Sequence, residues 1–424
     1  MHRMRYSLIT GLLVIACYPM FATAFVTAAD GPWPQWLGPH RDGISTETGL
    51  LQTWAPEGPP RQWLYENCGL GYSGPAIVGD RLFILGTRED QEQLLCLDTT
   101  QRGKELWYTP LGPVYENNWG DGPRSTPIVE GEFVYALAAE GNLSCLRIQD
   151  GSIVWKKSMQ EYGGKIPAWG YSESPFIYQE KIICTPGGKD GAIVALDKST
   201  GEFLWQIPEL TDTAHYSSII VAEQNGRAIG VQLLASQLVG FNLSDGELLW
   251  TVPWGGHVAV VPTPIAWENY IYVTSGYGAG CMLVSLNDDF SAEPVYEGNK
   301  LVTNHHGGVL RLGQSIFGYS DGKGWVCQDL LSGEKNWQNK KELGKGAIAY
   351  ADQRFYCLSE NEGEVVLIAA SEEDWIEHGR FTLEPQTELR KPSGKIWTHP
   401  VIAGGRLYLR DQELLFCFDI REKQ

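Results

Sequence analysis

Basic residues are scarce in this chain of 424 residues: 33 Lys and Arg stand against 51 Asp and Glu, for a formal net charge of −18. That balance argues against nucleic acid as a partner, which needs a basic footprint, and against tight adhesion to anionic lipid. Long apolar runs are missing beyond the N-terminal segment, so there is no second candidate for a membrane span. There is no coiled-coil heptad and no low-complexity tail. The local signatures of several enzyme classes are missing as well: neither Gly-x-Ser-x-Gly nor His-Glu-x-x-His occurs. No Cys-x-x-Cys-His is present, which excludes covalent haem attachment, and no two cysteines are adjacent.

What the chain has instead is one short phrase, repeated five times: an acid or amide, a few residues, a glycine, then a tryptophan. Asp197 to Trp205, with Gly201 at the turn, is the clearest copy. The others run from Asp98 to Trp107, Gln149 to Trp155, Asn242 to Trp250 and Asp329 to Trp337. Apolar or alternating residues precede each copy (Gln93 to Leu97, Ala192 to Leu196), which is strand pattern. The glycine suits the positive φ of a tight hairpin, and short Asp, Asn or Ser side chains bond the turn backbone. A tryptophan fixed on the strand after the turn can fill the space between one small sheet and the next.

Two further strands precede each phrase, so each unit holds four strands, A to D. Trp63, Trp107, Trp155, Trp205 and Trp250 are spaced by 44, 48, 50 and 45 residues. Four strands at that period indicate a β-propeller. Eight units begin near Gly71, Gly122, Gly170, Ala214, Ala259, His305, Lys345 and Ile396. The fifth and seventh put Val295-Tyr296 and Phe381 in the tryptophan place. The eighth ends after strand C, while Arg61 to Tyr65 has the form of a strand D with no A, B or C before it. We expect an all-β, eight-bladed propeller over residues 61–424 whose last blade is closed by that N-terminal strand, removing the open edge.

Residues 1–29 read as an export signal. Arg3 and Arg5 lead an apolar stretch from Leu8 to Tyr18 that is too short to span a bilayer. Thr27-Ala28-Ala29 suits signal-peptidase cleavage. Val14 to Cys17 suits a lipobox, which would leave a lipid on Cys17. Either route exports the protein to the periplasm or beyond, and we expect a monomer. Without Arg3 and Arg5 the remaining chain carries about −20. Residues 30–60, rich in Trp, Pro and Gly, read as an extended capping arm anchored by Trp33, Trp36 and Trp54. Cys96, Cys145, Cys327 and Cys417 share one strand-C position, with Ala195 and Gly240 in two other blades, so the slot takes a small side chain. Equivalent positions in separate blades are too far apart for a disulfide. Asn142 and Asn242 start glycosylation sequons but fall in strands, and the glycine-rich runs 186–191 and 275–280 read as B-to-C hairpins.

Strand A lines the channel of a propeller, so the residues before each strand A converge on one funnel. That slot holds Tyr72, Arg124, Ser172 with Glu173, His215 with Tyr216, His257, His305 with His306, Lys345, Trp397 and His399; longer D-to-A loops add Asn117, Asn118, Trp119, Asp121 and Trp169. The ligand-binding candidates are therefore Trp119, Arg124, Trp169, Glu173, His215, His257, His305, His306, Lys345, Trp397 and His399, with no catalytic or metal-ligating set assigned. The slot reads either as an aromatic-walled pocket at the channel mouth or as polar loops hydrating an open channel. Its histidines could take an anion or titrate near neutral pH. A metal site is disfavoured, because only His305 and His306 are adjacent, and neighbours on a strand face opposite sides.

The Asp-x-x-x-Gly-x-x-x-Trp phrase resembles the repeat of the pyrroloquinoline-quinone (PQQ) propeller family over residues 61–424. The stretch from Trp33 to Gly43 looks like the opening of secreted, planctomycete-type members. The resemblance implies one of two functions. One is that of the quinoprotein alcohol dehydrogenases, which hold PQQ and calcium over the channel. The other is that of BamB, a non-enzymatic scaffold of outer-membrane protein assembly. The dehydrogenases are longer, many use adjacent cysteines against PQQ, and their calcium needs a convergent Glu, Asn and Asp. Only Glu173 with Asn117, Asn118 and Asp121 is comparable here. The expectation is a binding or scaffold propeller of the cell envelope for a protein, glycan or peptide; the alternative is a PQQ-dependent alcohol or sugar dehydrogenase.

Overall fold

The computed structural model describes residues 31–256 and 258–423. The expected export signal, Cys17 and His257 lie outside the described residues. The described chain folds into eight four-stranded antiparallel sheets, and its one helical segment is the single 3₁₀ turn Met159–Tyr162. Seven blades use consecutive strands, from the first (Ala76–Val78, Arg81–Arg88, Gln91–Asp98, Lys104–Pro113) to the seventh (Gly346–Ala351, Arg354–Ser359, Glu364–Ala369, Glu377–Thr382). The eighth takes strands A to C from Val401–Ala403, Arg406–Asp411 and Leu414–Asp419, and its outer strand is Arg61–Tyr65. Trp63 lies opposite Cys417 and Leu64 opposite Phe416. The ring therefore closes as the sequence predicts.

The repeated phrase does two jobs. Within a blade it makes the C-to-D turn: Asp197 Oδ1 accepts from the N–H groups of Ser199 and Thr200, and Gly201, at φ +71°, donates to Asp197 O at 2.8 Å. Between blades it makes the joint. A Cβ on Gly201 would sit 2.8 Å from the Trp155 ring of the preceding blade, and one on Gly246 would sit 2.5 Å from Trp205. Only a glycine leaves room for the indole to lie flat on the turn. Trp155 Nε1 then donates to Lys198 O of the next blade at 2.9 Å.

The small strand-C slot has its reason in the register. Cys96, Cys145, Cys327 and Cys417 lie directly across from Trp107, Trp155, Trp337 and Trp63, and Ala195 and Gly240 face Trp205 and Trp250. A Cβ on Gly240 would fall 2.1 Å from the Trp250 ring. Where the ring is smaller the slot enlarges, as in the pairs Leu283 with Tyr296 and Val365 with Phe381. The eight cysteines among the described residues are free and buried.

The N-terminal arm departs from the expected cap in part. Residues 33–47 enter the channel as a bent segment, whereas residues 49–54 lie over the A-to-B face, where Leu50 N donates to Asp352 Oδ2, Leu51 N to Ile420 O and Trp54 N to His378 O. Trp33 exchanges two backbone hydrogen bonds with Ile77 of blade one, and Pro34 O accepts from Val129 N of blade two. The arm then bends, with Gly38 N donating to Gln35 O and Gly43 N to Leu37 O. The buried Arg41 donates to Ser174 O (2.9 Å) and Pro175 O (3.1 Å) of blade three. Ser45 N donates to Tyr350 O of blade seven, and Glu47 accepts from the N–H groups of Gly404 and Gly405 at the A-to-B hairpin of blade eight. Inner-edge backbone groups that an open channel would expose thus find partners in the arm.

Candidate functional site

Up-and-down blades place their D-to-A and B-to-C loops on one face. There the channel mouth forms a cavity of ≈ 310 Å³. Its lining joins Tyr72, Trp119, Arg124, Trp169, Tyr216, His305, His306, Lys345, Trp397 and His399 from the D-to-A slot with Tyr277 and Glu360 from B-to-C loops, Lys395, and Trp36 from the arm. Trp36 lies against His399 (ring centroids 4.8 Å apart) and donates from Nε1 to Thr263 Oγ1 at 2.9 Å. It floors the pocket and separates it from the rest of the channel.

Aromatic faces follow one another around the wall. His305 stacks on His306 at 3.8 Å, His306 on Trp397 at 4.4 Å, and Trp397 meets Tyr72 at 5.0 Å. Tyr277 stands edge-on to His305 at 4.7 Å, and Trp169 edge-on to Tyr216 at 5.7 Å. His305 and His306 both line the cavity, contrary to the alternation expected of neighbours on a strand, because they lie in the turn before strand A of blade six begins at Val309.

Burial favours the neutral form of His305, His306 and His399. Burial, reinforced by Lys345, pushes His305 down to about 4; burial pushes His399 down to about 4 and, with His305 beside it, His306 well below its ordinary range. For these three rings the shifts argue against titration near neutral pH, one of the roles the sequence allowed. Lys345 Nζ is 3.1 Å from His305 Nδ1, and an ammonium only donates, so the ring proton sits on Nε2. His399 Nε2 is 2.7 Å from His306 O and must carry its proton.

Charge in the pocket is mainly positive. Lys345 pairs with Asp321 at 2.7 Å. Arg124, sandwiched between Tyr72 and Tyr115 with its charge centre 5.6 and 5.2 Å from their rings, donates to Gly120 O and Gly122 O. Lys395 makes no hydrogen bond or close ion pair among the described residues, and its charge acts on Glu360. Glu360 is the one carboxylate in the lining, and its Oε2 accepts from Trp397 Nε1 at 3.1 Å.

Two sequence candidates stand off this wall. Glu173 turns away from Ser172, which lines the cavity, and is buried between blades, where it accepts from Thr185 N (2.6 Å), Thr185 Oγ1 (2.9 Å) and Gln232 Nε2 (3.3 Å). His215 accepts from Val260 N at 3.4 Å beside Tyr216, whose ring reaches the cavity. Sequence reasoning missed Trp36, Tyr277, Glu360 and Lys395. The B-to-C hairpins share the face of the D-to-A loops by topology, so Tyr277 and Glu360 were within reach of that argument; nothing in the sequence showed that the arm enters the channel.

The donor set does not fit calcium. That ion takes about six to eight oxygen ligands. Glu360 is already engaged, Glu173 is turned away, and Asp121 Oδ1 accepts from Asn117 N and Lys391 Nζ. Among the described residues no group of three or more His, Cys, Asp or Glu could hold a metal ion. No described helix is long and apolar enough to cross a membrane.

The chain is 22% identical to outer membrane protein assembly factor BamB of Burkholderia pseudomallei over 352 residues, covering 80% of this chain and 81% of that one. It is 21% identical to the Shewanella oneidensis protein of the same name, a match that spans 42% of this chain and 54% of that relative. Among solved structures it is similar to BamB from Moraxella catarrhalis (TM-score 0.59, 14% identity, 85% of this chain and 99% of that one). It is also similar to the quinohemoprotein alcohol dehydrogenase ADHIIG from Pseudomonas putida HK5 (TM-score 0.51, 11% identity, 94% and 82%). At such identities the structural likenesses speak for the fold alone. The model of the family described as outer membrane protein assembly factor BamB matches residues 53–160 and 91–372, and the chain, an eight-bladed propeller with PQQ-like repeats, belongs to that family.

Proposed function

We propose that this protein is a non-enzymatic binding propeller of the cell envelope that uses its loop face and channel mouth to hold a protein, glycan or peptide. The observation that carries the reading is the pocket itself: a floored, aromatic-walled cavity formed by the loops of several blades and the arm. Pockets of this size with a few polar groups are the usual place for a ligand. Family membership supports the reading, since the relatives bear the name of an assembly factor. Export through residues 1–29, with or without a lipid on Cys17, belongs to the same proposal. Residue 31 would then leave the channel on the side of Glu47 and the A-to-B hairpin of blade eight, opposite the pocket.

The test is a photo-crosslinking residue at position 119, whose indole is 47% exposed at the rim, compared with one at position 335 on an outer strand. In envelope preparations position 119 is expected to give a discrete product that position 335 does not. Equal labelling from both positions, or none, would remove the support for a binding face at the channel mouth.

A further inference from the structure

We infer that the ligand of this pocket is a carboxylated saccharide. The inference rests on the binding reading above and gives it a chemical class. The wall offers broad, flat, uncharged faces: Trp119, Trp169, Trp397 and the Trp36 floor. Such faces stack on the C–H surface of a pyranose ring, on a planar ring, or on an organic cation. The charges decide among these. Lys345, Lys395 and Arg124 bring three cations to the cavity against the single carboxylate of Glu360, in a chain whose net charge is −18. An organic cation is therefore disfavoured, and an anion is favoured by the excess of cations in the lining. Lys395 is the least engaged of the three, since Lys345 is held by Asp321 and Arg124 by two backbone carbonyls, whereas Lys395 meets Glu360 only through charge at longer range.

The hydrogen-bond inventory points the same way. The indole N–H groups of Trp119 and Trp169 and the ammonium of Lys395 make no hydrogen bond within the described protein, whereas the Glu360 carboxylate is already engaged by Trp397. The cavity sets these free donors beside a few unpartnered acceptors, among them His399 Nδ1. It calls for a ligand dense in acceptor oxygens that also presents a ring face, and a uronic acid unit supplies both. A small carboxylate lacks the ring face, and a neutral sugar leaves Lys395 unanswered.

Isothermal titration of the protein with a short oligogalacturonate tests this, with a maltooligosaccharide of equal length and an oligoglutamate peptide as comparisons. The oligogalacturonate is expected to bind, the neutral sugar to bind at least about tenfold more weakly, and Lys395→Ala to lower uronate affinity by about tenfold, the loss of one charge-assisted contact. Lys335→Ala, on an outer strand, should leave it unchanged. Failure of the oligogalacturonate to bind, or equal binding by Lys395→Ala, would overturn the proposal. Oligoglutamate binding as tightly would overturn the saccharide and leave an anion site. If position 119 still crosslinks a partner while uronates do not bind, the binding reading stands and only the saccharide falls.

Discussion

Replacing Trp63 by alanine tests the closure of the ring. The indole is 5% exposed, lies across from Cys417, meets Tyr408 at 5.9 Å and covers Gly103 of blade one. At roughly 25 cal/mol per Å² over about 200 Å², its burial amounts to about 5 kcal/mol as an upper limit. Buried aromatic truncations give about 3–5 kcal/mol. We expect Trp63→Ala to lose about 4 kcal/mol in guanidinium denaturation followed by far-ultraviolet circular dichroism. A second substitution isolates the joint. Gly103, at φ +73°, would place a Cβ 2.9 Å from the Trp63 ring, so Gly103→Ala should be costly beside the indole. In the Trp63→Ala background the clash is gone and only the backbone cost of about 1–2 kcal/mol remains. A shift below about 1 kcal/mol for Trp63→Ala, or equal Gly103→Ala costs in both backgrounds, would refute the reasoning.

Burial pushes the Glu173 carboxyl up to about 7 from an ordinary 4.5. The folded state therefore keeps a proton there that the unfolded state releases. The contribution is full below pH 4.5 and is lost as pH rises through 7. Glu173→Gln should flatten the fall in stability across that window; denaturation at a series of pH values, with an unchanged slope, would count against it. Gly240→Ala drives a methyl into the Trp250 ring and should cost about 1–3 kcal/mol, read as a lowered thermal midpoint. PQQ with excess calcium should leave the thermal midpoint where it was, since the described residues offer no donor set for the ion; a calcium-dependent rise would signal native-state binding and overturn the non-enzymatic reading.

Most of the architecture was written in local chemistry. The Asp, Gly and Trp of each phrase specify a turn, a positive φ and a joint within a few residues, so Gly201 and Trp155 could be read without knowing what lies between them. Closure was readable because Arg61 to Tyr65 is a strand with no local partner. The pocket was readable where it depends on topology: eight of the proposed residues, from Trp119 to His399, meet at the channel mouth. Glu173 failed because one step along an extended segment reverses the side chain, and a slot two residues wide cannot say which of Ser172 and Glu173 faces inward. Trp36 failed for a different reason. Its place depends on hydrogen bonds from the arm to blades distant in sequence, such as Arg41 to Ser174, and no local pattern encodes those.

The seam in blade eight also orders events in time. Trp63 and Cys417 are roughly 350 residues apart, so one of the first strands made must wait for the last. Blades one to seven can each form from neighbouring hairpins as the chain emerges, but until Leu414–Asp419 is available the array stays C-shaped, with open flanks and the Arg61–Tyr65 strand unpaired. Unpaired strands of that kind invite pairing with other chains. The interval before closure is therefore when this protein is most exposed to aggregation, and a chain shortened by its final strand would never leave it.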